Sequence, residues 1–308
     1  MKKFVGKILL FFLIIGAIDF FYGLTFDYMY VHAKGGENKR IHDLCTKNVF
    51  DILIMGSSRA HHHYVPFVIE ETTGLSCYNA GFDGNGIILA YGFLQKILER
   101  YHPKLVVYDV EPAFDINIYS PDNERIRYLS LQRPFYTDEG VASIFKDIAL
   151  DEYYKVHSSL YRYNSACITG AFSFFSSMGG DSFEGYEPLF GEMNSESSTG
   201  NNSIEKEHDP KKLEYISKFI KLLNNNHIPL LVVASPVYTQ TNSEVFNVVK
   251  QMCRGEGVRF VDYYQLPGIC GKQELFNDYM HMNDRGARLY SKQIGTFVKD
   301  YMNVQEIQ

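Results

Sequence analysis

The sequence predicts an α/β protein, a three-layer sandwich in which helices cover both faces of a five-stranded parallel sheet. An apolar helix precedes the sandwich and an insertion interrupts it. Three observations lead to this. Short, mostly apolar runs recur at Ile52–Met55, Leu75–Tyr78, Leu105–Val110, from Pro229 and at Val258–Val261, and such runs read as the strands of a parallel sheet. Stretches with apolar residues at helical spacing stand between them, such as Leu213, Ile216, Ile220 and Leu223. The 308 residues are 45% hydrophobic and 21% charged, a composition able to fill a core of that size.

Taken in order, Lys2, Lys3 and Lys7 precede an apolar stretch from Ile8 to Phe26, about long enough to cross a bilayer as a helix. Asp19 interrupts it, and a carboxylate in hydrocarbon costs a few kcal/mol. No small-x-small cleavage site follows closely, which predicts an uncleaved signal anchor over residues 1–30. A removed signal peptide and an apolar docking helix are the alternatives. The leading lysines predict an inside N-terminus and an outside domain, a bias that Lys34, Lys39 and Arg40 weaken. Residues 31–50 read as a polar linker and 51–302 as the α/β domain.

Within that domain a helix near Pro66–Thr72 follows the first strand and ends at Gly74. Another runs from about Gly86 to Tyr101 after the second. Residues 113–209 break the alternation, and their length predicts an insertion rather than a loop. It holds helices near Gly140–Leu150 and Glu152–Tyr163, then a Ser-, Gly- and Asn-rich part. Its tyrosines and phenylalanines, Tyr119, Tyr128, Phe135, Tyr136, Tyr153, Tyr154, Tyr161 and Tyr163, either form a small core of their own or offer faces to sugar rings. Helices at Pro210–Asn225, Ser243–Arg254 and Asp284–Tyr301 complete the pattern.

A net charge of −6 with no basic patch excludes nucleic acid as an expected partner. Five cysteines lack metal-ligand spacing, although Cys253 and Cys270 could pair in an oxidising compartment. His61-His62-His63 point in different directions on a helix and cannot all ligate one ion. No metal and no cofactor are therefore expected, and His62 or His63 is placed near the crevice mouth.

The chemistry gathers at two distant stretches. Strand one runs into Gly56-Ser57-Ser58-Arg59, and sites in open α/β sheets form outside the carboxyl ends of the strands. Far downstream, Asn277-Asp-Tyr-Met-His-Met-Asn-Asp-Arg-Gly286 supplies a carboxylate and a histidine just before the last helix. Acyl transfer by serine needs a nucleophile, a base and a group orienting the base. Ser58, His281 and Asp278 fit those roles in turn. Arg59 is a candidate for holding an anionic substrate group, with a structural ion pair as the alternative. Asp109 and Glu111, at the end of strand three, read as structural hydrogen-bond partners.

In these blocks the chain resembles the SGNH/GDSL-type hydrolases, over about residues 51–110 and 210–302. In that family the nucleophile follows strand one in a Gly-Asp-Ser turn, matched here by Gly56-Ser57-Ser58 with Ser57 in place of aspartate. Asn79-Ala-Gly-Phe-Asp-Gly84 resembles the block whose glycine N–H helps form the oxyanion hole, Gly84 being the best match and Gly81 the alternative. Ser235-Pro236, Asp262 and Asp278…His281 follow the family pattern as well. Gly180-Asp181-Ser182 spells the family tripeptide without a preceding strand and is set aside.

The resemblance implies a flavodoxin-like SGNH fold, with Ser58, His281 and Asp278 catalytic and the Ser58 and Gly84 N–H groups receiving the oxyanion. The family's third block, an Asn in a Gly-x-Asn turn after strand three, is missing from Tyr108-Asp-Val-Glu-Pro112. Asn117 and Asn85 are the candidate substitutes. The anchor and the Gly-Ser-Ser turn resemble membrane-tethered members that act on cell-envelope polymers. That implies an extracytoplasmic (periplasmic or cell-surface) esterase or O-acyltransferase for an acylated envelope glycan, with a membrane-bound acyltransferase as partner. The alternative is a catalytically weak domain that binds glycan within an envelope polymer machine.

Overall fold

The computed structural model describes residues 1–118, 124–164, 166–177, 183–193, 207–239 and 243–306. Its first helices are α1 (Lys2–Val31), α2 (Gly36–Thr46), α3 (Ser58–His63), α4 (Pro66–Thr73) and α5 (Ile87–Leu98). Then come α6 (Glu124–Ser130), α7 (Glu139–Ile148), α8 (Leu150–Lys155), α9 (Ser159–Arg162) and α10 (Cys167–Phe175). The last are α11 (Pro210–Asn225), α12 (Asn247–Gly255) and α13 (Asp284–Glu306). The strands are β1 (Ile52–Gly56), β2 (Cys77–Gly81), β3 (Leu105–Asp109), β4 (Leu230–Ala234) and β5 (Arg259–Asp262).

The chain divides into two compact units, Met1–Lys47 with Leu129–Asp181 and Asn48–Tyr128 with Ser182–Gln308. The second unit holds the sheet. All five strands are parallel in the order β2-β1-β3-β4-β5, the flavodoxin-like order, whose switch point lies between β1 and β3. Alternate residues explain the layers. Ile52, Ile54, Leu105, Val107, Leu231 and Val233 pack with Tyr290, Ile294 and Val298 of α13 on one face. On the other, Tyr108 meets Phe219 of α11 at 5.1 Å between ring centroids. Exposed Arg259 and Asp262 mark β5 as the sheet edge, where charge discourages further pairing.

Local chemistry accounts for most boundaries. Pro210 opens α11 and the Asp209 carboxylate accepts the Lys211 N–H at 2.8 Å, an N-cap legible in the sequence. β2 lies two residues beyond the run Leu75–Tyr78 that predicted it. Asn79, a turn former by type, is buried there because its amide donates to the Ala60 and Tyr64 carbonyls at 2.7 and 2.8 Å and its Oδ1 accepts the Gly81 N–H at 3.0 Å. A Cβ on Gly81 would stand 2.4 Å from the His61 nitrogen. Gly81→Ala is therefore expected to pry α3 from β2 and to lower stability by about 1–3 kcal/mol; a melting curve matching wild type would refute that packing.

In the first unit the stretch read as a linker contains α2, and the two helices expected from 140 to 163 are three. The extra break falls between α8 and α9, where Ser158 is extended and its side chain accepts the Tyr161 N–H. Phe135 and Tyr163 are buried within the unit, and Tyr136 stacks on the Arg162 guanidinium at 4.5 Å. Phe135 and Tyr163 thus take the core role, whereas Tyr154 is exposed. Tyr119 and Gly180-Asp181-Ser182 lie outside the described residues. Asp19, the interruption in the apolar stretch, accepts from Ser158 Oγ at 2.7 Å and from the Ser159 and Leu160 N–H groups at 3.1 and 2.8 Å. It thereby caps the start of α9.

Candidate active site

The site is built at the carboxyl ends of β1 and β3 in the second unit. Gly56 ends β1 at φ +147, and a Cβ there would lie 2.6 Å from the Asp109 carbonyl oxygen. Only glycine lets the chain leave the strand so close to β3. The chain then turns directly into α3, which puts Ser58 in its first turn.

The loop before α13 carries the partner groups. The Asn277 N–H donates to the His281 carbonyl at 2.9 Å, and Asp278 Oδ1 accepts the Met280 and His281 N–H groups at 2.8 and 2.9 Å. That turn holds Asp278 beneath the imidazole, with Oδ2 2.9 Å from His281 Nδ1. His281 Nε2 lies 2.8 Å from Ser58 Oγ. With Nδ1–H donated to the carboxylate, the Nε2 lone pair faces the serine hydroxyl. Burial pushes the Asp278 carboxyl up, but the bonds from His281 and the two N–H groups outweigh it and hold it below its ordinary value. Residues 58, 278 and 281 are thus brought together, 223 positions separating the serine from the histidine.

Ser58 and Gly84 carry the two N–H groups that the resemblance assigns to the oxyanion. Ser58 N–H is one of the unpaired amides that begin a helix, and Gly84 sits in a turn at φ +66. Neither donates to an acceptor among the described residues. The Gly81 N–H, the alternative to Gly84, is taken by Asn79 Oδ1. Neither asparagine proposed for the missing third block hydrogen-bonds at Ser58. The Asn85 amide donates to the Asp83 carbonyl at 2.9 Å, and Asn117 gives its carbonyl to Lys212 Nζ at 2.5 Å.

Arg59, expected among substrate-binding residues, is corrected by the structure. Its side chain is 0% exposed, paired with Asp109 at 3.5 Å and Glu111 at 3.9 Å, and it donates to the Val110 carbonyl at 2.5 Å. It holds the β3 end against α3, and substrate has no access to it. Glu111 also accepts from Ser57 Oγ, so Ser57 serves the same tie.

The histidine run does two jobs that its sequence did not reveal. His63 is buried, with Nδ1 3.0 Å from Ser235 Oγ and Nε2 accepting the Met282 N–H at 3.0 Å. Burial, with His281 and Arg59 nearby, pushes it well below the ordinary histidine value, so it stays neutral and fastens the residue next to His281. His61 and His62 converge on Asp83. His61 Nδ1 is 2.8 Å and His62 Nε2 3.3 Å from its carboxylate, and His62 Nδ1 donates to the Glu187 carbonyl at 2.7 Å. The His62 ring stands edge-on to His281, 5.7 Å between centroids. These three residues are the one group among the described residues with metal-type donor atoms within 4.8 Å of one another. Their donors are already bonded to each other, which makes the group an ionic clamp from α3 to the loop bearing Gly84.

The clamp has a pH signature. Burial lowers the His62 pKa, but Asp83 and the Glu187 carbonyl outweigh it and raise it above 6.5. The stabilisation is therefore complete below about pH 6.5 and fades as pH rises through the folded value. Burial raises Asp83, and His61 and His62 more than reverse this, so its share is present above about pH 4 and fades in acid. The melting-temperature gap between wild type and Asp83→Asn should be widest near pH 6 and shrink toward about pH 9. A gap independent of pH over that range would exclude the clamp.

No protein-family model matches the chain, and no curated protein matches it. Several solved structures are similar to it, among them the following three. One is a Streptococcus pneumonia protein provisionally named a platelet activating factor, 12% identical over 84% of this chain and 89% of that one, with a TM-score of 0.43. Another is the acetyl xylan esterase AlAXEase, 12% identical over 80% and 99%, TM-score 0.40. A third is a Desulfitobacterium hafniense protein provisionally assigned to the lipolytic G-D-S-L family, 10% identical over 80% and 98%, TM-score 0.37. At such values the likeness carries no argument about chemistry, which rests on this chain's own side chains.

Proposed function

We propose that the protein is a serine esterase or O-acyltransferase of the SGNH type, anchored in a membrane and acting on an acylated cell-envelope glycan. The observation that carries the chemistry is the continuous relay Ser58 Oγ–His281 Nε2, 2.8 Å, and His281 Nδ1–Asp278, 2.9 Å. Ser58 attacks the ester carbonyl while His281 takes its proton, and Asp278 keeps the imidazole in the tautomer that can accept it. The N–H groups of Ser58 and Gly84 receive the oxyanion. His281 returns the proton to the departing sugar oxygen, leaving an acyl-serine. It then deprotonates a water, or an acceptor hydroxyl, whose attack breaks the acyl–Ser58 Oγ bond, and it passes that proton to the departing Ser58 Oγ.

The anchor reading is supported by length and composition, α1 being the one helix among the described residues apolar and long enough to cross a membrane. The bonding of its second half favours a retained helix over a removed signal. Asp19 caps α9, Asp27 lies 3.4 Å from Arg162, and Tyr30 is buried in the first unit. Lys2, Lys3 and Lys7 favour an extracytoplasmic domain.

The missing third-block asparagine favours a second reading, a slow domain that chiefly binds glycan, since one such donor is worth about 10²–10³ in rate. The test is to treat the full-length protein with a serine-reactive fluorophosphonate and with p-nitrophenyl acetate and acetylated xylan. Labelling with acetate release supports the enzyme. A folded, unlabelled protein that retains glycan affinity supports the binder.

A further inference from the structure

We infer that the first unit rests on the bilayer surface through the apolar face of α10, at the headgroup–acyl boundary of the membrane that α1 enters. The inference deepens the anchor reading and rests on it. In a helix on a water-facing surface, large apolar residues turn inward and small or polar ones outward. α10 is reversed. Ile168, Phe172 and Phe175 are 80%, 57% and 72% exposed, and their i, i+4, i+7 spacing makes one stripe. Buried Gly170 and Ser173 face inward. A Cβ on Gly170 would lie 3.6 Å from the Phe26 ring of α1. The Ser173 carbonyl accepts the Lys34 N–H at 2.7 Å.

The occupant follows from continuity. From Phe4 to Leu24, α1 exposes apolar side chains along its length. Asp19 ties the start of α9 to α1, and Leu160 on α9 is itself exposed. From Asp19 to Phe26 is about 10 Å along the helix, slightly more than the roughly 5–8 Å depth of one interfacial zone of a bilayer. The Lys34 ammonium stands 5.6 Å from the Phe174 ring, placed for a lipid phosphate at the rim of the stripe.

The chain contains no tryptophan, so single-tryptophan reporters test the inference directly. Full-length Phe172→Trp, Phe175→Trp and Phe12→Trp are placed in vesicles of phosphatidylcholine with or without brominated acyl chains. Emission from all three is expected to fall several-fold in brominated lipid, with Phe172→Trp and Phe175→Trp also shielded from aqueous iodide. Quenching of Phe12→Trp alone overturns the inference and leaves the anchor standing. No quenching at any position overturns both. Iodide shielding without bromine quenching, growing with protein density, assigns the stripe to a second copy and overturns the inference as well. Should Phe172→Trp not fold, Phe175→Trp decides.

Discussion

Ser58→Ala is expected to lower kcat/KM on p-nitrophenyl acetate by roughly 10⁴-fold or more and to abolish fluorophosphonate labelling, with the melting temperature held near wild type. The hydroxyl hydrogen-bonds to His281 Nε2, and its removal takes the nucleophile while leaving the Cβ in place. His281→Ala should cost about as much, and the double variant scarcely more than either, because the residues act as one unit. Asp278→Asn is expected to lose about 10⁴ in kcat. An amide can donate to Nδ1, which would turn the wrong tautomer toward Ser58. Asp278 also bonds the Met280 and His281 N–H groups, contacts that asparagine's carbonyl can keep, so its loss should fall on rate rather than on folding. The outcome that sinks the relay is turnover in Ser58→Ala within a few-fold of wild type, or additive losses in the double variant.

Much of this was legible in advance, for local reasons. The central strands announce themselves as mostly apolar runs such as Ile52–Met55, and Asp209-Pro210 writes a helix start in two residues. Ser58, Asp278 and His281 were legible because their chemistry follows from type and from position beside predicted elements. What was illegible depends on partners far away in sequence. β2 extends through Asn79 because backbone groups of α3 and its exit satisfy the amide. His61 and His62 meet only because Asp83 comes to both from another loop. α10 hides in a Ser- and Gly-containing stretch whose apolar residues face outward, so an inward-facing pattern could not be found there. Asp19 read as a flaw in a span because its α9 partners lie 139 to 141 residues downstream.

Arg59 shows the same limit with the largest consequence for stability. A cation next to a nucleophile suggests a substrate anion, yet two carboxylates and two carbonyls from β3 and the β4 exit close over it. Burial disfavours its charge, but Asp109 and Glu111 outweigh that and raise its pKa. Burial pushes Asp109 up despite the guanidinium beside it. Arg59→Leu leaves both carboxylates in a dry site, where breaking one side of a buried ion pair costs about 3–5 kcal/mol. Arg59→Lys should recover only part, since one ammonium cannot replace the forked donors that reach Val110, Ser235 and the acids. Without the cation, Asp109 should lie further above its unfolded value near 3.8. The folded variant then holds a proton that the unfolded chain has released, so its stability falls as pH rises from about 4 toward the folded value. The gap to wild type, read from urea melts, should therefore widen between about pH 5 and 8. Asp109→Asn in the Arg59→Leu background should flatten that widening by removing the titrating group. If instead Arg59→Leu melts with wild type and weakens binding of anionic substrates alone, the guanidinium reaches solvent and the packing of this site is wrong.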